Sequence, residues 1–430
     1  MRAALWLLAL FGIAVAGALL AGNNQGVVTL FWAPYRLDLS INLVILLLVL
    51  AFALMHLALR ALAALFELPH QARRWRAHQK ERSMHSTVLD ALAQLMAGRY
   101  LRARKSAERG LELSQSLQDQ ALLTEPAPRH LPTLRALAHL IAAESAHALR
   151  DQSAREAHFQ QSLQFADHRQ PSGNEVMDAA RLSAARWFLS DRDASNALEW
   201  LSSLPHGTAR RTLALRLRLK AARMTGRHDL ALDTARLLSK HGAFSEAASH
   251  SLMRGLSLSR LDQCHDSAQL QAVWSGFDRT ERLMPEIALH ASNRCLRLDG
   301  SPQTALLWLQ PLWARWVENP DALDESHQQQ LIMTLDQALM AQEPEAEWLV
   351  RTEQARLSHP QHMGFVYLCG RVCMRHSLWG KAQQLLERCA PRMTAPVLQR
   401  RAWCALAELA QQRGDDQAAA RAWQKAALIP

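Results

Sequence analysis

The sequence predicts an all-α protein: an N-terminal two-helix transmembrane hairpin followed by a degenerate α-solenoid. Three observations lead there. Two apolar stretches without Asp, Glu, Lys or Arg stand close together near the start. From about His85 onward Ala, Leu, Gln, Arg and Glu dominate, while the whole chain holds only 3 Tyr. Apolar residues recur there every three or four positions, the helical period, and short turn signals recur at near-regular distances, the mark of stacked repeats.

The first apolar stretch runs from Ala3 to Gly22 and the second from Ile41 to Leu59, with His56 its one titratable group. A helix needs roughly 20 residues to cross the hydrocarbon core, and both stretches meet that length. Only the short segment 23–40 separates them, so the chain is expected to enter the bilayer, turn and return. A cleavable signal peptide is the rival for the first stretch, since Arg2 supplies a minimal basic start and Ala18 to Gly22 offers small residues. The apolar run exceeds the roughly 7–15 residues of a signal-peptide core, and a second span follows at once, so we take it as an uncleaved anchor. Gly12, Ala16 and Gly17 in that span allow close helix packing, and with it homo-oligomerisation.

Basic residues set the orientation. The segment 23–40 holds Arg36 balanced by Asp38, whereas Arg60, Arg73, Arg74, Arg76, Lys80 and Arg82 follow the second span against Glu67 and Glu81. The short loop is therefore expected outside and both termini in the cytoplasm. For a Gram-negative-type cell this is a multi-pass inner-membrane protein with a periplasmic loop. Trp6, Phe31, Trp32 and Tyr35 then fall near headgroup level, as interfacial aromatics do. From Arg60 to Gly110 stand 11 basic and 4 acidic residues, most of the chain's net +10. Arg73, Arg74, Arg76, Lys80 and Arg82 are expected to contact anionic headgroups, each worth about 1 kcal/mol near the surface. No base-reading fold or interleaved aromatic pattern accompanies the charge, so nucleic acid is not an expected partner.

The body reads as helix–turn–helix repeats. A helix end, a small or polar turn residue and an Ala five positions later recur at Gly98 and Ala103, Gly226 and Ala231, Gly300 and Ala305, and Gly414 and Ala419. Arg192 and Ala197 keep the spacing without glycine. Nine residues past these turns the apolar face continues with Ala107, Leu201, Ala235, Leu309 and Trp423. Weaker copies lie near Gln152, Asp262, Ala341 and His376, and most intervals fall between 34 and 41 residues. Glycine accepts a positive φ at such a turn, and a small residue lets two antiparallel helices approach. One such pair cannot bury its own apolar face, so neighbours stack. The pattern resembles tetratricopeptide repeats in degenerate form, best in ALAELAQQRGDDQAAARAWQKAAL from Ala405 to Leu428.

Two stretches read as loops: Thr124 to Thr133, with three prolines, and the Pro/Gly/Ser/Asn break from Asp167 to Glu175. The expected organisation is a hairpin over 1–60, a basic juxtamembrane helix over 61–84 and repeats over 85–430, with a subdivision near 170–175. Cys264, Cys295, Cys369, Cys373, Cys389 and Cys404 show no CxxC or zinc-finger spacing, and read as small buried apolar groups in a reducing compartment.

A hairpin with GNNQGVV in its turn, the basic stretch RRWRAHQKER, the first repeat ALAQLMAGRYLRARKSAERG and degenerate repeats follow one another in that order. This arrangement resembles the proteobacterial HemY family over essentially the whole chain, most specifically in its first 110 residues. The resemblance implies an inner-membrane protein linked to late haem (porphyrin) biosynthesis, with tetrapyrrole-pathway proteins as partners and a scaffolding or haem-handling role. The same name is used for an unrelated flavoenzyme, but no GxGxxG follows a strand here. GxSxG, P-loop, HExxH and paired-carboxylate patterns are absent too, so no catalytic residue is expected.

Haem is the one cofactor the resemblance brings in, and no metal site is expected. Its candidate ligands are Cys369, Cys373 and His376 in YLCGRVCMRHSLWG, and His78 and His85 beside basic residues able to pair with propionates. Cys369 and Cys373, at i and i+4, also suit the packed face of a repeat helix, which is the preferred reading. His70 lies in the same basic stretch, and His56 lies within a span. Three functions stay open: a membrane-tethered scaffold for haem-pathway enzymes, a haem or porphyrin carrier passing tetrapyrrole between them, and a general envelope-assembly scaffold.

Overall fold

The computed structural model describes residues 11–18, 22, 26–121, 129–166 and 171–429. The first apolar stretch, Trp6 included, lies outside the described residues except for 11–18, which form helix α1, and Gly22. The segment read as a plain loop holds two strands, β1 (Val27–Trp32) and β2 (Tyr35–Ser40). They pair antiparallel from Val27↔Ser40 to Trp32↔Tyr35 around a cis Ala33–Pro34 bond. The valines, threonine and aromatics of VVTLFW suit a pleated ribbon, and the pairing satisfies backbone groups that a bare loop would leave open.

Ser40 ends the ribbon and caps the next helix, its hydroxyl accepting from the Leu43 amide at 3.3 Å. That helix, α2 (Ile41–Met96), runs 56 residues, about 84 Å at 1.5 Å per residue. Its first 23 residues, Ile41–Ala63, are long and apolar enough to cross a membrane, and none of that window is buried against protein. The bounds expected at 60 and 84 both fall within α2, which continues through Pro69 into the repeat region, where Met84, Val88 and Ala91 turn inward. Arg73 and Arg74 fall where α2 side chains lie outside the described residues.

Residues 1–177 and 178–430 form two compact units. In the first, α3 (Tyr100–Ala121), α4 (Leu131–Ala148) and α5 (Gln152–Phe165) follow α2. Val88 and Ala91 of α2, Ala107 of α3 and Ala138, Ile141 and Ala142 of α4 share one small-residue core. Ala136, Ala166 and Met177 form another, reaching the start of α6 (Pro171–Ser190). Both proline-containing loops were drawn too long. Residues 122–128 and 167–170 lie outside the described residues, but Leu131–Thr133 and Pro171–Glu175 are first turns of α4 and α6. A first-turn amide has no helical acceptor, so Pro132 and Pro171 cost these helices nothing.

The second unit continues with α7 (Ala194–Ser202), α8 (His206–Ala209), α9 (Thr212–Met224), α10 (His228–Lys240) and α11 (Glu246–Asp262). Then come α12 (Ser267–Ser275), α13 (Arg279–Arg282), α14 (Pro285–Arg297), α15 (Pro302–Glu318) and α16 (Glu325–Ala341). The last are α17 (Ala346–Ser358), α18 (Met363–Arg375), α19 (Trp379–Cys389), α20 (Pro396–Gln412) and α21 (Asp416–Ala427). Hairpins such as α9–α10, α14–α15, α18–α19 and α20–α21 pack internally. Their first helices also pack in file, α11 on α14, α14 on α16, α16 on α18 and α18 on α20. That is a helical-repeat stack, and its core carries the aromatics. Trp274 stacks on Trp308 at 4.7 Å between centroids, and Trp316, fully buried, meets Phe365 at 4.2 Å.

All nine expected turns fall at junctions between consecutive helices. Seven share one closure, in which a residue with φ between 52° and 75° follows the first helix. The next amide then bonds back to the fifth carbonyl before it, as in Arg99 N to Gln94 O (2.8 Å) and Asp193 N to Phe188 O (2.8 Å). Gly98, Gly226 and Gly414 occupy that position, and so do Arg150, Arg192, Asp299 and Ser377. At Gly300 the expectation misplaced the reason for glycine. The left-handed residue is Asp299, whereas a Cβ on Gly300 would lie 2.6 Å from Cys295 Sγ. The junctions near Asp262 and Ala341 lack a left-handed residue. Arg192→Gly removes a Cβ from a left-handed site and is expected to stabilise the chain by about 1 kcal/mol. Urea denaturation measures this, and an unchanged or lower midpoint refutes it.

Candidate functional site

The described surface offers a groove where three consecutive first helices come together. It has a volume of about 420 Å³, and α16 contributes Asp336 and Met340, α18 Arg371, and α20 Arg401, Cys404 and Glu408. Asp336 is 3% exposed and forms its floor. Its carboxylate accepts from Tyr367 Oη at 3.0 Å, Arg371 Nε at 2.8 Å and Arg401 Nη1 at 3.3 Å. Glu408 Oε2 stands 3.7 Å from Arg371. Burial, reinforced by the Asp336 charge, pushes the Tyr367 phenol well up, so it stays a donor. Burial opposes the Arg371 charge, yet the negative groups around it, Asp336 foremost, more than offset it and hold its pKa above the usual value. One carboxylate thus ties three repeats together beneath a surface with charge of both signs.

The same α18 carries the Cys369 and Cys373 thiols on its opposite, packed side. Both are fully buried, and Cys369 Sγ donates to Glu353 Oε2 at 3.1 Å. The hydrogen bond with Cys373, together with burial, pushes the Cys369 thiol far up. Arg356 holds Glu353 down to about 2, with Lys381 adding a contact at 2.9 Å. His376 caps α18, and its Nε2 lies 3.2 Å from the Glu345 carbonyl oxygen. The two thiols face protein, and His376 is only half-buried.

The other candidate ligands sit on α2. Arg76, His78 and Arg82 are exposed and Lys80 half-buried along one continuous helix. His78 Nδ1 lies 3.6 Å from Glu81 Oε2. His85 Nε2 lies 3.2 Å from the Nε2 of His130, which immediately precedes α4. Glu81 and His130 were not nominated from sequence. The i, i+4 spacing of Glu81 and His85 was visible, but their meeting with His130 needed the fold.

A second histidine pair lies deeper in this unit, with His139 Nδ1 and His158 Nδ1 3.0 Å apart. Burial, then the His158 and Arg135 charges, pushes His139 down to about 4. Its folded pKa is below the usual 6.5, so the unfolded chain takes up a proton first as pH falls. Stability conferred by neutral His139 is complete above about 6.5 and is lost progressively towards pH 4. After allowance for solvent screening the loss is about 1–3 kcal/mol. His139→Gln is expected to flatten the pH dependence of melting between pH 7 and 4. An unaltered profile refutes this.

Residues 26–126 match the family described as HemY protein N-terminus. The chain carries a HemY-family N-terminal domain. The matched residues include the β-ribbon, all of α2 and α3, so the HemY domain joins an exposed apolar helix to the first repeat hairpin. No curated protein matches the chain. Among solved structures it is similar to Naa15/Naa10 bound to HypK-THB, at 13% identity and TM-score 0.25, covering 81% of this chain and 59% of that one. It is also similar to the P58(IPK) TPR domain, at 12% identity and TM-score 0.21, covering 80% of this chain and 98% of that one. The repeat assignment beyond the HemY domain stands on the helix packing and turn closures described above.

Proposed function

We propose that this protein is a non-enzymatic, membrane-anchored repeat scaffold that gathers enzymes of late haem biosynthesis at the cytoplasmic face of the bacterial inner membrane. The observation that carries the proposal is α2. One helix takes an apolar stretch with no protein cover straight into the first repeat of a HemY-type domain. A helical-repeat stack presents extended surface to other proteins, and the groove over Asp336 offers cations and carboxylates in register for a polar segment of a partner. The first apolar stretch, Ala3 to Gly22, two cytoplasmic termini and headgroup contacts through Arg73, Arg74, Arg76, Lys80 and Arg82 complete the proposed topology.

Affinity capture of the full-length protein from membranes tests it. Haem-pathway enzymes are expected to be enriched over a capture of an unrelated two-span protein. Enrichment of other envelope proteins alone would favour the general assembly scaffold and end the pathway assignment. The carrier alternative rests on the exposed His78 and half-buried His85 beside Arg82, since Cys369 and Cys373 are enclosed. A Soret titration of the full-length protein decides it: a lack of any saturable shift with haem removes the carrier.

A further inference from the structure

Three side chains converge where α2 meets the start of α4. Glu81 Oε1 lies 2.9 Å from His130 Nε2, and His85 Nε2 lies 3.2 Å from the same atom. The three ligand atoms all lie within 4.8 Å of one another. Hydrogen bonding alone serves this arrangement badly. A carboxylate only accepts, so His130 Nε2 must carry its hydrogen towards Glu81. His85 Nε2 then faces a nitrogen with no lone pair to offer. If it bears hydrogen, two N–H groups oppose each other. If it does not, two acceptors compete for one proton. A cation at the centre satisfies all three lone pairs at once.

We propose that Glu81, His85 and His130 form a binding site for a divalent transition-metal ion of the zinc class. Bonds of about 2.0–2.1 Å in a tetrahedron place neighbouring donor atoms about 3.3 Å apart, and the separations of 2.9 and 3.2 Å are already near that value. Two imidazoles with one carboxylate select zinc, cobalt or a similar ion over magnesium and calcium, which take oxygen donors. Glu81 and His85 share one face of α2 at i, i+4, and His130 arrives from 45 residues further on. His78 Nδ1, 3.6 Å from the second oxygen of Glu81, acts as an outer partner that orients the carboxylate. His130 keeps 46% of its side-chain surface exposed, so an ion has a path in. Three protein donors leave one position for water or a small exogenous ligand. The ion ties α2 to the first turn of α4.

The test uses full-length protein in lipid nanodiscs, titrated with Co²⁺ alone and then with Zn²⁺ as a competitor. Visible d–d absorption is expected to saturate at one Co²⁺ per chain and to be displaced by Zn²⁺. His130→Ala and Glu81→Gln are each expected to weaken binding at least about tenfold, with His376→Ala unchanged. Circular dichroism melting checks that each variant folds. Should His130→Ala fail to fold, Glu81→Gln, which keeps the side-chain shape, carries the test. A wild-type protein without a saturable band overturns the site, as does equal affinity in wild type and Glu81→Gln.

Discussion

Replacing Asp336 with Ala is expected to destabilise the second compact unit by about 3–5 kcal/mol, the largest effect of any single substitution considered. The carboxylate is 3% exposed and receives three donors from two other repeats. Removal leaves the Arg371 guanidinium, 16% exposed, with only Glu408 at 3.7 Å. A buried charge stripped of its partner costs more than the pair contributed. For a unit of this size the loss corresponds to a fall of roughly 10 °C in melting temperature. Asp336→Asn, which keeps the shape and one acceptor, should fall between. A double variant, Asp336→Leu with Arg371→Met, should recover much of the loss, because an apolar pair of similar volume removes both buried charges. Thermal melting of the three variants checks the series. Equal melting of wild type and Asp336→Ala would show that the network contributes nothing to holding α16, α18 and α20 together.

Phe52→Arg is expected to eject Ile41–Ala63 from the bilayer. Phe52 lies at the middle of that segment, 68% exposed, with Leu46, Leu48 and Leu57 similarly uncovered. An arginine at the centre of a spanning helix costs about 2.5–3.5 kcal/mol on insertion scales, or roughly a hundredfold in partition. The measurement is glycosylation mapping of acceptor sites placed on either side of the segment. Insertion of the variant at wild-type efficiency would mean that hydrocarbon does not hold this helix.

The repeats were legible because their turns are chemically local. A left-handed residue and an alanine five positions later define five of the seven closures within a few residues, so Gly98 with Ala103 and Gly414 with Ala419 could be read directly; both alanines are buried. Even Arg192, a poor residue for its φ of 63°, was found through Ala197. The β-ribbon was not read, because six-residue strands between two apolar stretches carry too little period to separate from a loop. The continuity of α2 was hidden by composition: an apolar run, a proline and a basic run look like three elements, whereas backbone geometry joins them. At the candidate sites the pattern repeats. His78 and His85 stood out as histidines among basic residues, but the partners that give them chemistry, Glu81 and above all His130, depend on how α4 packs against α2. Asp336 is one carboxylate among many until α18 and α20 bring their arginines to it.

The unbroken run of α2 makes residue number a geometric variable. Each residue adds about 1.5 Å and turns the helix by about 100°, so the azimuth at which Met84, Val88 and Ala91 present the first repeat is fixed by the count of residues back to the apolar segment. Deleting one residue between 64 and 77 would swing that repeat about a quarter turn relative to the apolar segment. Deleting seven would restore its facing to within about 20° while drawing it about 10 Å nearer. Pro69 is the one position inside this shaft whose nitrogen cannot bond to the carbonyl four residues back, at Leu65. Torque from any partner on the repeats would be relieved there first.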